Sequence, residues 1–180
     1  MILGMSTATF TLLHVLISLV GIGSGLVVMY GFLTANRFDR WTLIFLLTTA
    51  ATSLTGFAFP NQHVTPGIVI GILSMAVLAI AVAARYGLRM NGLWRPVYVV
   101  TAAVALYFNV FVLVVQSFEK VPALKALAPT QKEPPFAVTQ LTVLALFVVL
   151  TVLAVRRFRP ASATAGSSSP RVSNIGTRAA

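Results

Sequence analysis

The sequence predicts an all-α membrane protein: a five-transmembrane-helix bundle with its N-terminus outside and its C-terminus in the cytoplasm. Three observations point there. Hydrophobic residues make up 58% of the 180 and charged ones only 9%, whereas a soluble domain is roughly a quarter charged. The apolar residues fall into five long runs, at 10–33, 41–59, 67–84, 97–118 and 136–155. Each run can cross a hydrocarbon core of roughly 30 Å at about 1.5 Å per residue, and helices alone satisfy their backbone there without a neighbouring strand. The third observation is that the arginines gather on alternate links between the runs.

Span one comes after "MILGMSTAT", which has no positive charge, and its apolar stretch runs past any cleavage point. It reads as a retained span rather than a signal peptide. His14, Ser18, Gly21 and Gly25 are spaced four, three and four apart, which places them on one helical face. Span two carries Thr48, Thr52 and Thr55, then Gly56, and leads into the uncharged link "PNQHVTP" with Asn61, Gln62 and His63. Span three repeats the small-residue spacing with Gly67, Gly71 and Ser74. In span four the stripe is Tyr98, Ala102, Ala105, Asn109, Val112 and Gln116. Stripes of this kind are where membrane helices meet, each hydrogen-bonded link contributing about 0.6–2 kcal/mol.

Between spans four and five lies "EKVPALKALAPTQKEPPF". Val121, Leu124 and Leu127 are three apart with Lys120 and Lys125 off that face, the pattern of a short helix lying in the interface. "TQKE" at 130–133 has capping-box spacing, but that register would put Pro134 at the fourth helical position, where a proline clashes. The helix of span five is therefore expected to start at Pro134, with Glu133 beside its positive end. Residues 1–159 form the bundle in this reading. The Ser/Ala/Gly-rich remainder, 160–180, is a disordered cytoplasmic tail.

Arg37, Arg40, Arg85, Arg89, Arg95, Arg156, Arg157 and Arg159 come after spans one, three and five, and the tail adds Arg171 and Arg178. In a five-span chain all ten share one side, against Lys120, Lys125 and Lys132 on the other, so the positive-inside bias orients the bundle. Trp41, Trp94, Tyr30, Tyr86 and Tyr98 fall near that inner boundary, where an aromatic belt belongs. The net charge of +10 is read as topology and anionic-lipid contact, with no nucleic acid.

"HVLISLVGIGSG", "TSLTGFAFP", "LYFNVFVLVVQSFEKVPALKALAPTQKEPPF" and "RRFRP" resemble stretches of a family of small multi-pass bacterial inner-membrane proteins to which no activity is attached. The resemblance spans the chain through Pro160 and implies a bacterial inner (plasma) membrane location, with no residue role.

Placed by depth, the polar side chains collect in the outer halves of the spans. Amides and an imidazole in hydrocarbon must face the bundle interior or a wet cavity. The expectation is an outward-facing pocket built by His14, Ser18, Thr55, Asn109, Gln116 and Gln140, under a lid supplied by His63, Thr130, Gln131 and Glu133. A small neutral or weakly polar ligand, or a helix from an unidentified membrane partner, would occupy it. The function expected is that of a non-enzymatic ligand-binding or accessory subunit. The alternatives are a redox subunit, with His14 and His63 on haem or His14 against a quinone, and a passive small-molecule carrier. Catalysis finds little support: there is no cysteine, no His-Glu-x-x-His, and Ser18 beside His14 lacks a third group to orient the base. None of the five runs holds an Asp, Glu, Lys or Arg, which argues against a pump. No metal or cofactor is assigned, and a homodimer through Gly21 and Gly25, or Gly67 and Gly71, is expected from the close approach that glycines allow.

Overall fold

In a computed structural model the chain is described at residues 4–59 and 66–159. Both the 160–180 tail and the link holding Asn61, Gln62 and His63 lie outside the described residues. Among the described residues six α-helices succeed one another: α1 (Thr7–Leu33), α2 (Asp39–Phe57), α3 (Pro66–Val82), α4 (Trp94–Lys120), α5 (Pro122–Leu127) and α6 (Pro134–Arg157). A π-helical turn, Ala83–Gly87, continues α3.

Local chemistry sets the ends. Ser6 caps α1, its Oγ accepting from the Thr9 N–H at 3.1 Å. After Thr34 the chain takes a left-handed residue at Ala35, φ 57°, and turns into α2. α6 begins at Pro134 with Glu133 as its N-cap residue, as the geometry of proline requires.

Four of these helices are long and apolar enough to cross a membrane: α1, α3 with its π-turn, α4 and α6. α2 is not among them. Its first turn holds Asp39 and Arg40, and Thr42, Thr48, Thr49, Thr52, Ser53 and Thr55 make the rest of the helix less apolar. The outer surface is nevertheless greasy, with Leu12, Leu16, Leu47, Ile72, Leu141 and Leu146 all exposed. Such a surface is in contact with lipid, and the chain is a multi-pass helical membrane protein.

α4 is the central strut, packing against α1, α2, α3, α5 and α6. Its stripe faces inward as the spacing predicts: Tyr98, Ala102, Ala105 and Asn109 are buried. Around the N-terminal half of α4 lies a dry core that includes Val28, Phe32, Phe45, Leu46, Leu78, Leu106 and Phe158. Gly21 and Gly25 are buried as well. A Cβ on Gly25 would lie 2.5 Å from Leu106 Cδ1, and one on Gly21 would lie 3.2 Å from Thr48 Oγ1. On Gly71 it would meet the Phe57 ring at 2.8 Å. The glycine step expected to join two copies instead lets α1 pack against α2 and α4 of the same chain, and Gly71 accommodates Phe57. Gly21 and Gly25 are thus used for packing inside the chain.

Two further differences sit at the arginine-rich end. The third apolar helix continues to Gly87 instead of stopping at Ala84, so it contains Arg85, a charge inside a stretch expected to hold none. Arg85 is 5% exposed. Its guanidinium donates to Tyr98 Oη at 2.9 Å and to Asp39 Oδ1, and lies 5.1 Å from the Tyr98 ring centroid. Tyr98 is thus fully buried as Arg85's partner rather than standing in an aromatic belt, whereas Tyr30, Trp41, Tyr86 and Trp94 are exposed. A buried guanidinium needs both a counter-charge and acceptors, and this pair supplies them.

Candidate functional site

At the opposite end from the dry core the helices splay. The N-terminal half of α1, the C-terminal half of α2, the N-terminal half of α3 and the C-terminal half of α4 enclose a cleft of about 680 Å³. Its walls are mostly apolar, with Val15, Leu19, Phe57, Ile70, Phe108 and Val112 among them. The volume is that of a small-molecule site. Along α1 the lining runs from Thr7 to Ile22, a depth of about 22 Å at 1.5 Å per residue.

His14 stands on one wall. Its Nδ1 is 2.7 Å from Thr55 Oγ1. The Thr55 hydroxyl also lies 2.7 Å from the Ala51 carbonyl, which can only accept. The single hydroxyl proton goes to that carbonyl, so the imidazole donates from Nδ1 and, in its neutral form, keeps an acceptor lone pair on Nε2. Phe59 packs edge-on against the ring, centroids 5.3 Å apart. One turn deeper, Ser18 donates to the His14 carbonyl at 2.8 Å and lies 3.3 Å from Thr52 Oγ1. α1 and α2 are therefore joined by a ladder of hydroxyls and one imidazole, as their shared stripes suggest.

The inner end of the lining is formed by Ile22, Ser53, Ser74 and Asn109. Asn109 Nδ2 donates to Thr49 Oγ1 at 3.1 Å, tying α4 to α2. Ser53 and Ser74 are 7% and 3% exposed, and the buried Ser74 Oγ has no partner among the described residues. Among the lining residues, charge is confined to the rim, where Glu119 and Lys120 end α4. The exposed Gln116 lines the outer part of the same wall.

Of the residues expected to build a pocket, the structure brings His14, Ser18, Asn109 and Gln116 to one cavity. Thr55 stands behind His14 and orients it without entering the lining. Gln140 lies elsewhere: it is buried between α6 and α4, Nε2 donating to the Phe111 carbonyl at 3.2 Å while Oε1 has no partner among the described residues. The physical reason is that α6 packs on α4 and α1, whereas the cleft is closed by α3.

Thr130, Gln131 and Glu133 are likewise absent from the cleft lining. They make a corner of their own. The Glu133 carboxylate accepts from the Thr130 N–H, the Thr130 hydroxyl at 2.9 Å and the Lys132 N–H at 3.0 Å. Partial desolvation pushes the Glu133 pKa up, but these hydrogen bonds together outweigh it and hold the pKa below the usual carboxylate value. Gln131, left-handed at φ 59°, donates from Nε2 to the Val115 carbonyl at 3.0 Å and pins the corner to α4. The corner braces α4 to α6, away from α2 and α3. The fourth lid residue, His63, lies outside the described residues.

Counting depth along the spans does not single out Ser53 or Ser74. Ser74 shares a face with Gly67 and Gly71, a signal legible in the spacing. Ser53 is one of several hydroxyls in α2, and nothing in its sequence context separates it from Thr52 or Thr55. Among the described residues no group of three or more His, Cys, Asp or Glu could hold a metal ion. Compared with known protein families, curated proteins and solved structures, the chain matches none.

Proposed function

We propose that this chain is a non-enzymatic binding protein of a bacterial inner membrane. It would take up a small, mainly apolar molecule in the cleft between α1, α2, α3 and α4. The observation that carries the reading is the pairing of an apolar four-helix cleft of about 680 Å³ with the buried, unbonded Ser74 hydroxyl at its inner end. A bundle optimised only for packing would close such a space, because interiors fill to the density of organic crystals.

In this proposal α2 is the fifth crossing helix. The pairing of Asp39 with Arg85 supports it, since each charge neutralises the other where α2 enters the apolar layer. The arginine bias then puts the dry core toward the cytoplasm and the cleft mouth outside. Binding without catalysis is favoured because the polar groups lining the inner end, two hydroxyls and an amide, include no acid or base among the described residues.

Native mass spectrometry of the full chain released from mild detergent tests the reading. A retained small-molecule adduct is expected, and Val112→Trp, which fills the wall of the cleft, should remove it. No adduct, or equal adduct on the filled variant, refutes the reading. A Soret band in the purified protein would favour the haem alternative. Solute flux in liposomes would favour the carrier.

A further inference from the structure

The inner end of the cleft specifies more than apolar volume. Ser24, Thr48, Thr55, Thr101, Ser117 and Thr151 each return their hydroxyl to the carbonyl four residues back. That is the default for a hydroxyl in an apolar helix, since it satisfies the proton locally. Ser74 does not do so, although it is nearly fully buried and lines the cleft: its Oγ has no partner among the described residues. A buried donor without an acceptor is costly. One such donor in the lining at the inner end of the cleft defines a place where an acceptor oxygen is wanted.

We infer that the ligand is an uncharged amphiphile that enters polar end first. A ketone or hydroxyl oxygen at its head accepts from Ser74, and its hydrocarbon chain lies along the apolar walls toward the mouth. This rests on the binding function proposed above and assigns the ligand's chemical class and direction. An anionic head is disfavoured. The lining of the inner end has no cation among the described residues, and the nearest charged lining residues, Glu119 and Lys120, are about 15 Å further along α4 at 1.5 Å per residue. A carboxylate or phosphate taken to that depth would be desolvated without a counter-charge. The amide of Asn109 lines the same end and offers a further neutral contact.

The test is equilibrium binding of radiolabelled 2-tridecanone to the full chain in phosphatidylcholine nanodiscs, with affinities expressed per mole fraction in the bilayer. Tridecane, 1-tridecanol and tridecanoate at alkaline pH serve as competitors. The ketone and the alcohol should bind about threefold to tenfold more tightly than the alkane, the contribution of one buried neutral hydrogen bond. The ionised acid should compete no better than the alkane. Ser74→Ala should bring the ketone down toward the alkane while leaving the alkane unchanged. If alkane and ketone bind equally to the unmodified chain, the Ser74 hydroxyl is satisfied by water and the inferred orientation is overturned, while the binding reading survives. If the ionised acid binds best, the ligand class is wrong. If none of the probes binds, the proposed function fails with it.

Discussion

Replacing Gly25 with alanine asks whether the small-residue face of α1 is consumed inside the chain. A Cβ at Gly25 arrives 2.5 Å from Leu106 Cδ1 and 2.9 Å from two atoms of the Phe45 ring. Those neighbours are 2% and 1% exposed, so neither has open space to move into. Forcing an extra carbon into a packed core costs about 1–3 kcal/mol. Removing a helical glycine returns about 0.5–1 kcal/mol. The net expectation is destabilisation by about 1–2 kcal/mol, a factor of roughly 5 to 30 in the folding equilibrium. Gly23 is the control, because a Cβ there meets nothing within 4 Å. Gly23→Ala should be neutral or stabilising by up to about 1 kcal/mol. Reversible unfolding in mixed detergent and dodecyl sulfate micelles, followed by far-ultraviolet circular dichroism, measures both. Equal midpoints for the two variants would refute the packing argument. So would a Gly25→Ala chain that keeps its monomer stability but loses self-association in sedimentation, since that would return the face to a dimer.

Asp39→Ala should cost more than Arg85→Met in the same assay, about 2–4 against about 1 kcal/mol. The first strands a guanidinium that is 4% exposed, while the second leaves a carboxylate that is 67% exposed and can be hydrated; equal losses would mean the pair is not asymmetric. Asn109→Leu should destabilise by about 0.6–2 kcal/mol through loss of the link to Thr49, and an unchanged midpoint would show that the amide only faces the cleft. Glu133 predicts a pH effect. Its folded-state pKa is depressed, so its contribution is complete above the ordinary value of 4.5 and is lost as pH falls through the lower folded value. Hydrogen exchange of the 128–136 segment should therefore accelerate at the acidic end, and Glu133→Gln should show the faster exchange already at neutral pH. A pH-independent segment would refute the carboxylate's role.

Much of this architecture is local and is readable from residues alone. Apolar runs dictate helices because lipid offers no other partner for the backbone, and Pro134 dictates where α6 starts because a proline fits only the first turn. The stripe from Tyr98 to Asn109 predicts the buried face of α4, since helical spacing decides which side chains share a face. The gathering of His14, Ser18, Asn109 and Gln116 at one end comes from counting depth along each span. Depth, however, is one coordinate of three. Which helices become neighbours depends on how their surfaces fit, and that is not a property of any one helix. Gln140 has the depth of a pocket residue, yet it faces α4 because α6 docks away from α3. Gly25 has the spacing of a dimer face, yet Leu106 and Phe45 of the same chain reach it first. Arg85 has the position of a topology signal, yet it is buried against Asp39 and Tyr98. Residue order is enough for the helices, their polar stripes and the greasy surface, because each depends on a single segment and its solvent. Which stripes meet is a matter of packing between segments far apart in the chain, and that packing leaves the buried Ser74 hydroxyl at the end of a cleft with no acceptor among the described residues.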